Sequence, residues 1–333
     1  MSALLTGHRP WRAEVGDAVV ALAVCRDGRV AVAGAEGSVT LLSAAGGIDH
    51  RAVVSDGALT VSWSPNADRL AVGSIDGVDV LDATGAILGG HREGWCSSLA
   101  WSADGTRVAA AAGHAVVVLG ADGTELWRAH RGSTVTGIAW VRRRVATAAY
   151  GGVHVHDRSA APDVMPFTGS LLALSVSPDR RWAASGNQDA TLKVWRVGRR
   201  GEELAMSGYP TKISTLQFSP DSTLLASGGG SDVTVWDFAG AGPRGSTPRI
   251  LRAHRKVVTS LAWSPSGDLL AGAAADGRVA VWRARAAVPG NPAAAVDEVV
   301  RDCAATALDW DGAGRLLAGW ADSIVAAHVL DGT

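Results

Sequence analysis

The chain is poor in most of the residues that would reveal its chemistry. It has only three cysteines in 333 residues, Cys25, Cys96 and Cys303. They are far apart and odd in number, which excludes a disulfide framework. No run of eighteen apolar residues occurs, so no segment is long enough for a membrane-spanning helix. The opening MSALLTGHRPWR has a three-residue apolar core, too short for a secretory signal. These absences point to a soluble, reduced, cytoplasmic protein. Lysine occurs only at 193, 212 and 256 among 31 basic residues. With abundant Ala, Gly and Val, that bias suggests a GC-rich, bacterial coding sequence and warns against reading every Arg as functional. The chain holds no phosphate loop, C-x-x-C, H-E-x-x-H or G-x-S-x-G. GSIDG (73–77) comes nearest the last, but its Ser lies in a hairpin rather than a strand-to-helix elbow. GAGPRG (240–245) matches a dinucleotide-binding string but has Pro243 inside it and opens no helix. No cofactor is expected.

What is present is repetition. Apolar runs end at Val24, Trp63, Trp101, Trp140, Val176, Phe218, Trp263 and Trp310, at spacings of 39, 38, 39, 36, 42, 45 and 47 residues. Behind most anchors come a polar turn (SPNAD, SADGT, SPDRR, SPDST, SPSGD, DGAGR), a small-residue run and a tight turn, often Asp-Gly. A β-branched run such as VTLL, VVVL or VAVW follows. Short Val-, Leu- and Ala-rich runs bounded by Gly, Pro, Asp and Ser are strands. In VAVW and LLAGA the intervening residues are Ala or Gly, so both faces are apolar and each sheet must lie between two others. AILGGH, ELWRAH and RILRAH read as a fourth, outer strand leading into the next copy. Four-stranded antiparallel units at a period near 40 residues are propeller blades.

The stretch RAHRKVVTSLAWSPSGDLLAGAAADGRVAVW resembles a repeat of the WD-repeat β-propeller family. The likeness covers residues 4 to 330. It implies an all-β fold, a single propeller domain over 1–333, and eight four-stranded blades; seven blades with a loose extra repeat is the alternative. The eighth copy supplies three strands before the chain stops, and ALLTGH looks like an outer strand, so the N-terminal strand is expected to complete the last blade and remove two open edges. The family's bracing network falls on His254, Asp276 and Trp282 in the seventh copy, with His130 and Thr147 as a similar brace in the fourth. Ser170 and Tyr209 stand where the fifth and sixth opening His would be, and only Trp236-Asp237 is a literal closing pair in the right strand.

Metal and catalytic alternatives rest on few residues. His154 and His156 are alternate residues of one strand and share a face, which makes them the best metal candidates, although His156 takes a packing position. Cys96 and Cys303 could form a soft site only across three blades. Asp309, Asp311 and Asp56 are scattered candidates for an enzyme at the channel mouth. Charge says more. Residues 142–200 carry ten basic side chains against Asp157, Asp163, Asp179 and Asp189, a net of +6 in a chain of net −1. In a propeller, Arg142, Arg143, Arg144, Arg180, Arg181, Arg199 and Arg200 emerge on one face of the disc. Arg9, Arg51, Arg92, Arg131 and Arg255 form a ring on the other. The expectation is a non-enzymatic interaction platform for an acidic protein partner, with no membrane contact; nucleic acid is disfavoured because no aromatic stripe accompanies the Arg turns.

Overall fold

The computed structural model describes residues 10–158, 160–199 and 201–330. Among these residues are 33 strands and no helix, hence none long and apolar enough to cross a membrane. The strands form eight sheets, and blades one to seven begin at Val19, Ala58, Leu99, Gly137, Leu171, Thr215 and Val258. Each is an antiparallel meander running from the centre outward, and each anchor lies at or next to the end of an innermost strand. Eight separate apolar clusters fill the eight seams, each drawing on two successive blades and the last joining blade eight to blade one. Small second-strand residues make this possible. Ala71, Ala109, Ala110, Ala146, Ala184 and Ala226 are all fully buried, so neighbouring sheets approach without gaps.

The recurring polar turn has a specific job. In the five copies with Ser after the anchor, its hydroxyl accepts the N–H five residues on, from Arg69, Arg107, Trp182, Leu224 and Leu269, at 2.9–3.1 Å. In the eighth copy Asp311 accepts from Arg315 in the same way, at 2.8 Å. Four residues past nearly every anchor the backbone enters the left-handed region. Gly28, Gly105, Gly267 and Gly314 take it where glycine is present, and Ala67, Arg180 and Ser222 take it elsewhere; Arg142 takes it in the shortened fourth turn. These turns touch around the ring: Asn66 donates to the Asp104 carbonyl, and Asp179 donates its N–H to Ser222.

Indoles latch the seams. Trp101, Trp140, Trp263 and Trp310 donate Nε1 to carbonyls of the preceding innermost strand, those of Ser62, Ala100, Gln217 and Ala262, at 2.8–3.0 Å. Where the first anchor is Val24, Asp309 of blade eight accepts the Val24 N–H at 2.8 Å instead.

The ends confirm the eight-blade arrangement but move the closing strand. Trp11–Glu14 pairs antiparallel with Ile324–His328 and becomes the outer strand of blade eight. ALLTGH, expected to do this, lies outside the described residues. The long seventh spacing is also explained. After Trp282 the chain crosses back to blade six, where Pro292–Ala294 runs parallel to Arg249–Arg252 as a fifth strand. It then returns as Asp297–Val300, the outer strand of blade seven.

Candidate functional site

The polar braces differ from the sequence expectation in identity more than in place. In blade seven, His254 Nδ1 stands 4.0 Å from Asp276 Oδ1, and neither imidazole nitrogen nor the Trp282 indole N–H finds a hydrogen-bond partner among the described residues. The Asp276 carboxylate is taken by the backbone N–H groups of Arg255 (2.6 Å) and Arg278 (3.1 Å). His254 instead packs edge-on against Trp282, and Gly272 beside both leaves no hydroxyl to bridge them.

In blade four His130 is exposed, and the brace comes from its neighbour. Arg131, 8% exposed, donates to the Thr147 hydroxyl at 2.6 Å and to the Thr147 and Gly152 carbonyls at 3.1 Å. Thr147 Oγ1 also lies 2.9 Å from His156 Nε2. Blade six has the most complete network. Tyr209 bonds Ser227 at 2.7 Å and accepts from the Trp236 indole at 2.9 Å. A Tyr hydroxyl both donates and accepts, so Tyr209 serves where a histidine was expected. The small-residue run LASGG, with its Ser, was the signal for it.

Burial and local partners occupy most of the metal and catalytic candidates. Burial, and then the Arg131 charge, hold His154 and His156 down at about 4. A buried guanidinium beside two imidazoles is a poor neighbour for a second cation. Cys96 and Cys303 belong to different seams, and burial pushes the Cys96 thiol up to about 12. Asp309 holds the Val24 and Trp310 N–H groups, Asp311 is ion-paired to Arg315 at 2.6 Å, and Asp56 is exposed on a loop between blades one and two. Asp309 and Asp311 lie close enough to repel each other, and Asp56 is on a separate loop. GAGPRG lies in the loop after the third strand of blade six, with Gly242 against Trp182.

A pH response follows from these imidazoles. His154, His156 and His254 are all depressed to about 4, chiefly by burial, so the fold favours their neutral form. Their contribution to stability is complete above about 6.5 and is lost as pH falls from 6.5 toward 4. Asp309, raised to about 6 by burial, acts in the opposite sense: the cost of its ionised form is relieved as pH falls from 6 toward 3.8. Three groups outweigh one, so the melting temperature should fall between pH 7 and pH 5. C2–H resonances of His154, His156 and His254 titrating near 6.5 in the folded protein would defeat this.

The Arg residues gather on blades four and five. Arg142, Arg143, Arg180 and Arg181 are exposed on the turns joining first to second strands. The Val197 N–H donates to the Arg181 carbonyl at 2.9 Å, which brings the third-to-outer connection of blade five to the same face. Three of the seven Arg residues have carboxylate partners. Arg144 pairs with Asp163 at 2.5 Å, Arg199 with Glu202 at 3.3 Å and Arg181 loosely with Asp179 at 3.9 Å. Arg142, Arg143 and Arg180 make no ion pair among the described residues, and Arg200 lies outside them. The ring expected on the opposite face is largely spent on structure. Arg131 is buried, Arg92 pairs with Asp79 at 2.6 Å and Arg51 reaches the Glu14 carbonyl; Arg9 lies outside the described residues.

Beside the Arg turns lies a groove that no residue pattern announced. A cavity of about 570 Å³ opens between the outer strand of blade four and the end of the third strand of blade five. Val155, Met165, Trp195 and Val197 line it, with Arg144 and Arg199 at its rim.

Comparison with known proteins settles the family. The WD domain, G-beta repeat, matches residues 84–124, 164–196, 202–237 and 245–283. The chain is a WD-repeat β-propeller. Among its relatives, human coronin-7 is 35% identical over 114 residues, 32% of this chain. The WD repeat-containing protein VIP3 of Arabidopsis thaliana is 31% identical over 123 residues, 34% of this chain. The small ribosomal subunit protein RACK1 of Schizosaccharomyces pombe is 31% identical over 129 residues, 35% of this chain. The propeller spans 12% of that coronin-7 and 38% of each of the other two. The crystal structure of the computationally designed Ika8 protein superposes with a TM-score of 0.78 at 21% identity, covering 96% of this chain and 99% of that one. At that identity the likeness concerns the fold alone.

Proposed function

We propose that this propeller is a non-enzymatic interaction platform that binds an acidic surface of another protein through the Arg turns of blades four and five. WD-repeat relatives such as RACK1 and VIP3 support the general role, although fold alone does not fix function. The observation that carries the specific reading is the pair of exposed cations on left-handed turns. Arg180 (φ 63°) holds the left-handed turn position that glycine holds in four other copies, and Arg142 (φ 60°) is left-handed in the shortened fourth turn. A bulky L-residue there is less stable than glycine, so the fold itself gives no reason for Arg. Ala67 and Ser222 hold the same conformation, so it is the exposed cations on these two turns, rather than the backbone alone, that support use. Two guanidinium groups with no carboxylate of their own are free to grip a partner's carboxylates through paired hydrogen bonds.

Glycine substitution separates folding from binding. Arg142→Gly with Arg180→Gly should leave stability unchanged or raise it by up to about 1 kcal/mol. Adding Arg143→Ser and Arg181→Ser should weaken capture of the native partner and flatten its salt dependence, because exposed charges are screened. A fourfold variant that retains the same partners with the same salt response would move attention to the opposite face. There Trp95 and Tyr150 are 53% and 61% exposed.

A further inference from the structure

We infer that the groove between blades four and five takes an extended, largely apolar segment of a partner protein, laid along the outer strand of blade four. This deepens the reading that this side of the disc is an interaction surface.

The molecule contains its own occupied example. Nineteen residues past their anchors, Trp195 and Trp282 hold the same place at the end of the third strand in blades five and seven. After Trp282 the chain spends residues 283–296 crossing to blade six. Ile250, Leu251 and Arg252 there pair in parallel with Pro292, Ala293 and Ala294. Ala284, Ala287, Ala293 and Ala295 join the cluster around Trp263 and Trp282 and fill that seam. After Trp195 the corresponding connection is only residues 197–202, and among the described residues no strand pairs with the free side of Asp163–Pro166. The groove is what that shorter connection leaves uncovered.

Its features suit the same kind of occupant. Phe167 donates its N–H to the Gly151 carbonyl, and Met165 pairs with Val153. Alternation along the ladder therefore turns the Val164 N–H and C=O away from the sheet, as a free edge that an added strand can use. Val164 is 41% exposed. The lining of Val155, Met165, Trp195 and Val197 calls for small or aliphatic side chains at alternate positions of the segment. The rim charges are matched within the chain, Arg144 to Asp163 and Arg199 to Glu202, so the groove itself favours an uncharged stretch. Acidic residues flanking that stretch would meet Arg142, Arg143 and Arg180 on the adjoining turns.

The probe is a synthetic peptide copying residues 284–296, made in two forms, one extended by four Asp and one by four Ser. Hydrogen exchange of residues 163–166 is followed in the full-length protein, with affinity measured by fluorescence anisotropy. Both peptides should slow exchange at this strand by about tenfold or more at saturation. The Asp form should bind more tightly, and that advantage should disappear in the variant with Arg142, Arg143, Arg180 and Arg181 replaced. A second variant with residues 284–296 duplicated between Val197 and Gly198 should fill the groove and abolish protection. Protection by both peptides with no Asp preference would uphold the groove and defeat the Arg-turn reading. Salt-sensitive binding of the Asp form without protection at 163–166 would do the reverse. No protection by either peptide at millimolar concentration, or protection that persists in the filled variant, overturns the inference.

Discussion

Arg131→Met should destabilise the propeller by on the order of 2–4 kcal/mol, whereas His130→Ala one residue earlier should cost less than about 0.5 kcal/mol. The contrast is physical. His130 is exposed, whereas Arg131 is buried and donates three hydrogen bonds that tie the second-strand Thr147 to Gly152 at the start of the third strand. Removing it takes one hydrogen bond from each of two buried carbonyls, which keep their ladder partners, and deprives the Thr147 hydroxyl of its charged donor. The substitution also removes the charge that, after burial, holds His154 and His156 down at about 4. Both imidazoles should therefore titrate higher in the variant, short of 6.5 because burial remains. Arg131→Lys keeps the charge but not the fork that reaches two carbonyls and a hydroxyl at once, so it should fall between Met and wild type. Urea denaturation measures the first effect and C2–H titration the second. Equal stability of the Met and His130→Ala proteins, or unmoved imidazoles, would show that the Arg131 network contributes nothing.

That contrast also marks where sequence reading ran out. Strands, blade count and seams were legible because they follow from apolar patterning, which both sides of every sheet enforce. The turn was legible too, since Ser64, Ser102, Ser177, Ser219 and Ser264 recur beside their anchors for a hydrogen-bonding reason. Polar braces depend on which side chain reaches inward, and a shift of one residue is invisible to a repeat alignment. Hence the brace was expected of His130 and is made by Arg131. In blade seven the expected residues are present, yet backbone donors claim Asp276 and Gly272 supplies no bridge. The groove was hidden for another reason: it arises from the length of a connection, 197–202 against 283–296, and no residue within it announces a cavity.

Removing residues 1–15 should open the ring. Trp11–Glu14 is the outer strand of blade eight, paired over four residues with Ile324–His328. Ala13 and Val15 are buried in the seam that joins blade eight to blade one, beside Val19 and Leu42. The Trp11 indole donates to the Ala44 carbonyl of blade one at 3.1 Å, so the strand clasps both blades that meet at the closure. Losing the ladder, the indole and this burial together should cost on the order of 4 kcal/mol, or about 6 °C in melting temperature. It would also leave Ile324–His328 as an unpaired apolar edge, a template for pairing with another chain. The truncated protein should therefore melt early and form concentration-dependent oligomers on size-exclusion chromatography. Trp11→Ala separates the two effects. It keeps the backbone ladder, so it should lose roughly 2 kcal/mol and remain monomeric. Oligomers from Trp11→Ala would mean that the indole, not the strand, guards the edge. A truncated protein that stayed monomeric with an unchanged melting temperature would mean that the ring holds without its closing strand.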